Sequence, residues 1–246
     1  MTKAESQRRA PILDGRLSAA MALAGRVDSF ADIGADHGRL SAAMLLSGYA
    51  RRALVADISP YALEKARQRI ARLALDDRVT FAVADGLDAL GDSAVDLAFI
   101  LGMGGDTLSG ILRRGQHRLH GAALVLGAHT SLPLVRATLC HIGYRIRREV
   151  IAHDAGRDYV LMRCTPALPG EPAYTEAERL LGPMLMRECP QGWLPVLKRR
   201  KRLLTQEIEA MQAARLEKDA ERLALSLREL SYVEACLRRY EPPTVE

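Results

Sequence analysis

The chain has 246 residues, 48% of them hydrophobic and 26% charged, with a net charge of +5 from 35 Lys and Arg against 30 Asp and Glu. This is globular composition, long enough for one sizeable domain and a smaller appendage. No apolar run approaches the roughly 20 residues of a membrane span, and the segment after Met1 is charged with no signal-peptide core. Cys140, Cys164, Cys189 and Cys236 show no C-x-x-C spacing, which argues against a zinc site or a disulfide framework. The expectation is a cytoplasmic protein with free thiols, no membrane association and no metal.

Residues 13–24 place Leu13, Leu17, Ala20, Leu23 and Ala24 on one helical face. Arg16, near the start of this helix, reads by itself as a solvated arginine and is carried as a candidate substrate contact. The next stretch, Phe30-Ala31-Asp32-Ile33-Gly34-Ala35-Asp36-His37-Gly38, is an apolar run that ends in an acid and turns through two glycines into a helix. Glycine lets backbone approach a ligand, and the amides opening the following helix point into the same crevice. By itself the pattern fits either a ligand turn or a plain strand-to-helix turn, because the glycine spacing is not G-x-G-x-x-G. Asp32 in that turn is unsuited to a pyrophosphate and better suited to a cation, so S-adenosylmethionine, an ammonium and sulfonium without phosphate, is favoured over NAD. Asp32 and Gly34 are therefore candidate cofactor residues.

A helix over residues 40–46 is followed by a short strand, residues 53–57, ending in Asp57. Asp57 lies near the roughly 20-residue offset at which an acid binds ribose hydroxyls in nucleotide folds. Ser59 and Pro60 already supply the cap and first-turn proline of the helix at residues 61–73, leaving Asp57, with Ile58 beside it, for the cofactor. A third strand, residues 79–83, leads to Asp85-Gly86, where the acid suits an adenine amino group or caps a turn. Residues 95–101 read as a buried central strand, with Gly102-Met103-Gly104-Gly105 as a turn that clears side chains from the reacting group. Residues 122–126 form a fifth strand and 132–142 a helix. Two further strands, residues 144–151 and 159–162, flank Asp154-Ala155-Gly156-Arg157, a hairpin signal. A parallel α/β sheet closed by an antiparallel hairpin is the Rossmann-like architecture of class I methyltransferases.

Residues 166–172, with three prolines and a glycine, read as a linker between domains at 1–165 and 173–246. Beyond it Trp193, Leu197, Leu204, Ile208 and Met211 form one stripe, and Leu216, Ala220, Leu223, Leu227, Leu230 and Leu237 a heptad seam, giving an antiparallel helical coiled-coil hairpin. Lys198, Arg199, Arg200, Lys201 and Arg202 are the densest basic run, either a solvated face or a nucleic-acid contact. From residue 166 onward 13 basic residues balance 13 acidic ones, leaving 22 against 17 in the first part.

Asp32-Ile33-Gly34-Ala35-Asp36-His37, Asp85-Gly86-Leu87, Gly102-Met103-Gly104-Gly105, the hairpin from Glu149 to Tyr159 and Leu181-Gly182-Pro183 before Trp193 resemble the bacterial TrmK-type tRNA (adenine(22)-N1)-methyltransferases, over essentially the whole chain. The resemblance implies S-adenosylmethionine as donor, N1 of adenine 22 of tRNA as target, and a helical hairpin that helps hold the tRNA. It carries Asp36 as a catalytic carboxylate with His37 orienting it or capping the helix. Two departures stand out. Gly127-Ala128-His129 replaces the family's Gln-Pro-Asn turn, with His129 a candidate substitute, and Arg39-Leu40-Ser41 replaces an aromatic-Leu-Pro. The rival readings are a methyltransferase of this fold acting on another nucleic acid or on protein, and a non-catalytic RNA-binding module. The expected oligomeric state is a monomer or weak homodimer.

Overall fold

The structure is a computed structural model that describes residues 10–190, 192–214 and 220–240. The chain divides into two compact units, Met1–Pro172 and Ala173–Glu246.

The first unit is built on seven strands: β1 Ser29–Ile33, β2 Arg52–Asp57, β3 Val79–Val83, β4 Leu97–Met103, β5 Ala123–Ala128, β6 Tyr144–Asp154 and β7 Arg157–Pro166. Their order in the sheet is β3-β2-β1-β4-β5-β7-β6, with β7 antiparallel to both of its neighbours and the pairings among β1 to β5 parallel. α1 Gly15–Ala24 precedes β1, and four helices join strands: α2 Arg39–Leu46, α3 Pro60–Arg72, α4 Gly105–Gly115 and α5 Leu132–His141. The central strands are apolar on both faces, as strands covered on both sides must be. Phe30 of β1 meets Phe99 of β4 edge to face at 5.6 Å between ring centroids, inside the main core.

The hairpin strands are longer than expected, β6 running on to Asp154 and β7 from Arg157 to Pro166, and the limits of β4 and β5 are shifted. Residues 95 and 96 do not join β4, because the Asp96 carboxylate accepts hydrogen bonds from the Ser29 amide at 2.8 Å and the Asp28 amide at 3.0 Å and fastens the sheet's N-terminal edge. At its other end β4 continues through Gly102 to Met103 across a break in register, so these residues belong to the strand and not to a turn after it. β5 likewise runs on through Gly127 and Ala128, which pair with Leu101 and Met103 of β4. The turn therefore consists of residues 129–131, not 127–129. The segment read as a linker is tied down: Arg147 forms an ion pair with Glu171, and Arg145 Nε donates to the Pro172 carbonyl at 3.2 Å.

α1 is the element that shapes the crevice. Asp14 caps it by accepting from the Leu17 amide at 2.8 Å. At the other end Arg163 of β7 donates to the Leu23 and Ala24 carbonyls, answering the unpaired groups and the negative end of the helix dipole.

The second unit contains α6 Glu176–Leu181, α7 Pro183–Glu188, α8 Trp193–Ala214 and α9 Ala220–Tyr240. The first two helices escaped the periodicity reading, although Thr175 and Glu178 form a full capping box. α8 buries Trp193, Leu197, Leu204 and Ile208 as expected. On α9 the buried positions are Ser226, Val233, Cys236 and Leu237, whereas Leu227 is 45% exposed. The seam thus runs through Ser226 and Val233, and the regular row of leucines through Ala220 and Leu227 is corrected. Leu216 and the turn between the helices lie outside the described residues.

Candidate active site

Strand order reverses between β1 and β4, and the crevice lies at the C-terminal ends of these strands, where open α/β sheets bind ligands. There a cavity of about 260 Å³ is lined by Asp14, Arg16, Asp32, Gly34, Asp36 and Gly102, among others.

Asp32 forms the floor. Its carboxylate is buried and accepts from the Ser41 hydroxyl of α2 at 2.5 Å. Burial pushes its pKa up to about 6, against the opposing pull of that hydrogen bond, and the nearby Asp57 charge pushes the same way. Gly34 has φ +73°, a left-handed conformation that glycine adopts at no steric cost, and its amide donates to Ala56 at 2.9 Å. A side chain at Gly34 would stand 3.3 Å from Met103 Cε, so Met103 shuts down on the glycine turn.

Asp57 accepts from the Asp36 amide at 3.2 Å and from the Ser59 amide at 2.8 Å. It therefore braces the loop on which Asp36 stands with φ +49°, an uncommon conformation for a non-glycine residue. A carboxylate has about four acceptor positions, so two remain for ligand hydroxyls. Ile58, next to it, is 68% exposed, and Val83, the partner of Asp57 in the β2–β3 register, is exposed as well. Two bare apolar side chains beside an acid suit a heterocycle attached to a ribose. Val83 was not identified from the sequence, since a valine closing a strand carries no signal of its own.

Asp85 stands at the end of β3 but is engaged by Arg114 of α4 at 2.8 Å. Gly86 is required by packing, because a side chain there would meet Ile111 Cγ2 at 2.8 Å. Similar reasoning changes the account of the glycine run. Gly102 has φ +78°, a conformation that glycine adopts without strain, and a side chain at Gly105 would stand 2.3 Å from the Thr130 carbonyl oxygen, so Gly105 makes room for protein backbone. Gly104 is the N-cap of α4.

The mouth of the crevice carries a cluster that sequence reasoning recovered only in part. The Arg16 guanidinium lies 5.8 Å from the centre of the Tyr159 ring, and His129 meets the same ring edge to face at 5.7 Å between centroids. Tyr159 of β7 joins the two predicted contacts, yet in the sequence it was only one more strand residue. Asp36, 74% exposed in its side chain, stands 3.3 Å from His37 Nδ1. Of the basic run, Arg200 pairs with Glu229 at 2.6 Å and Lys201 with Glu234 at 2.9 Å, both across the α8–α9 pair. Lys198, Arg199 and Arg202 are exposed on α8, in the second unit and not in the crevice. Among the described residues no group of three or more His, Cys, Asp or Glu could hold a metal ion, and no helix is long and apolar enough to cross a membrane.

Sheet order, the antiparallel closing strand and the acid-and-glycine crevice together define a Rossmann-like methyltransferase. The chain belongs to the family described as "Methyltransferase domain", whose family model matches residues 13–162. The tRNA (adenine(22)-N(1))-methyltransferase of Bacillus subtilis (strain 168) is 28% identical to it over 163 residues, 64% of this chain and 68% of that protein. The crystal structure of the B. subtilis M1A22 tRNA methyltransferase TrmK superposes with a TM-score of 0.83 at 24% identity, covering 92% of this chain and 99% of that one. M. capricolum TrmK, solved with S-adenosyl-homocysteine, gives a TM-score of 0.80 at 17% identity, covering 94% and 100%.

Proposed function

We propose that the protein transfers the methyl group of S-adenosylmethionine to N1 of adenine 22 of tRNA. The observation that carries this reading is the junction of two half-sites on one crevice. The turn braced by Asp57 is shaped for the donor's ribose and cationic tail, and the same loop presents Asp36 at the open end. The B. subtilis tRNA (adenine(22)-N(1))-methyltransferase, 28% identical, supports the choice of substrate.

The donor fits the residues present. Asp32 offers a buried carboxylate to a cation, the Gly34 turn keeps the cradle clear of side chains, and Asp57 keeps acceptor positions for two hydroxyls. When bound, S-adenosylmethionine supplies an electrophilic methyl group. Neutral adenine has a free lone pair on N1 and no proton there, so the protein needs no general base to create the nucleophile. Its tasks are alignment and charge. Alignment of reactants supplies roughly 7 to 11 kcal/mol in favourable intramolecular cases. As the N1–methyl bond forms and the methyl–sulfur bond breaks, positive charge passes from sulfur to the adenine, and the Asp36 carboxylate stabilises it there. Arg16 has the wrong sign for that place and instead suits a substrate phosphate, while the Tyr159 and His129 rings offer flat surfaces to a base turned out of its stack. On α8, Lys198, Arg199 and Arg202 are the tRNA contacts of the second unit.

Incubation with methyl-labelled S-adenosylmethionine and bulk unmodified tRNA, followed by nucleoside digestion, tests the reading. Label in 1-methyladenosine is expected. Label in another nucleoside, or none in tRNA, overturns it.

A further inference from the structure

Outside the donor crevice the first unit holds a second cavity, of about 420 Å³, between α3 and the segment before α1. Its polar lining comes from Lys65, Gln68, Arg69, Arg72 and His37, with Pro11 at one side. The sequence explains this face directly. Leu63, Ala66 and Ile70 turn α3 toward the core, and Lys65, Arg69 and Arg72, spaced four and three residues apart, fall together on another face. Three cations therefore line one wall. Among the described residues none of them has a carboxylate partner, in contrast to Arg39, Arg114 and Arg118 of the same unit, which are all ion-paired. Arg69 spends one donor on the His37 carbonyl, at 2.8 Å, and the rest of its guanidinium fork is left for a ligand. Lys65 lies over the Tyr61 ring at 4.5 Å, a contact that leaves its ammonium donors unfilled.

The cavity borders the donor crevice. His37 lines both it and the donor crevice, and His37 is also the residue beside Asp36. From Lys65 to Arg72 the helix rises about 10 Å, so the row is longer than one phosphate group. A single small anion would leave part of it unused.

We propose that this cavity is a phosphate-binding subsite in which Lys65, Arg69 and Arg72 hold the RNA backbone flanking the nucleotide presented to Asp36. The inference rests on the tRNA reading above and adds to it a surface in the first unit. It gives His37 a structural duty as the link that keeps the phosphate site and the reacting base at a fixed separation.

Direct binding of a fluorescently labelled, unmodified tRNA transcript, measured over a series of KCl concentrations, decides it. The parent protein is compared with Lys65→Gln/Arg72→Gln and with the charge-keeping Lys65→Arg/Arg72→Lys. Each lost phosphate contact lowers the log–log salt slope by roughly 0.7 to 0.9, so the neutral double variant should lose about 1.4 to 1.8. The charge-keeping variant should restore most of the slope, and the Kd for S-adenosylmethionine should stay at the parental value. Equal slopes in parent and neutral variant overturn the inference. So does a neutral variant that binds both ligands less well and melts earlier, which would show that the cations only stabilise α3. Failure of the tRNA reading has a different signature, the absence of methyl transfer to tRNA by the parent protein, and the binding slopes decide the subsite in either case.

Discussion

Asp32 is the residue whose environment is most at odds with its chemistry: a carboxyl held in the floor of the crevice with a pKa of about 6. Because its folded value lies above the unfolded range near 3.9, the stability it contributes is present below that range and is lost as pH rises through about 6. A cationic ligand reverses the preference by favouring the carboxylate. Affinity for S-adenosylmethionine should therefore weaken as pH falls below about 6, approaching tenfold per unit, and Asp32→Asn should flatten the profile; calorimetry from pH 5 to 8 reads both. Asp57→Ala should cost about 1.5 to 3 kcal/mol of donor affinity, the range for hydrogen bonds to a charged group. An unchanged Kd would remove it from the site. It should also slow turnover at saturating donor, since it releases the Asp36 amide. For Asp36→Asn the expected loss in single-turnover rate is about tenfold to a hundredfold, with donor affinity nearly unchanged. That lies below the ~10² to 10³ of a fully desolvated donor group, because the Asp36 side chain is 74% exposed before substrate covers it. A parental rate would make Asp36 a loop residue only.

The central strands and the helices of the first unit were legible from apolar runs and evenly spaced stripes, and the closing strands from the hairpin turn between them. What the pattern hid were the strand ends at Gly102 and Gly127, where glycine read as a breaker. Both stay in the sheet, where Gly127 pairs with Leu101 and β4 runs on past Gly102 to Met103. Tyr159 was hidden for a related reason: it meets Arg16 only because α1 packs on β7, where Arg163 reaches the end of α1 across 139 to 140 positions of sequence. On α9 a preference for leucine over serine displaced the seam, which passes through Ser226. One element pair carries a polar bond the sequence did not announce. Arg136 of α5 and Glu149 of β6, 1% and 0% exposed in their side chains, meet at 2.9 Å. Glu149→Gln leaves a buried guanidinium without its counter-charge and should cost about 3 to 5 kcal/mol in urea unfolding, much of which an apolar pair at both positions should recover. A loss below about 1 kcal/mol would mean that the other partners of Arg136 suffice.

At the scale of the whole molecule the excess positive charge belongs to the first part of the chain, where the crevice and the α3 cavity lie. In the five-residue basic run on α8, Arg200 and Lys201 are ion-paired with α9, and the proposed function assigns Lys198, Arg199 and Arg202 to tRNA. Arg200→Gln breaks its bond to Glu229 and should lower the melting temperature of the helical pair, whereas neutralising Lys198, Arg199 and Arg202 should raise the KM for tRNA and flatten its salt dependence. If the three-fold neutral variant keeps the parental salt slope, those cations are a solvated face. The chemistry assigned to the molecule, methyl transfer to one ring nitrogen of one nucleotide, is tested most directly with paired tRNA transcripts that differ only at nucleotide 22. With methyl-labelled S-adenosylmethionine, the transcript carrying A22 should take up close to one methyl group per molecule at N1, and the transcript carrying G22 almost none. Equal labelling of the two transcripts, or no labelling of either, would contradict the account.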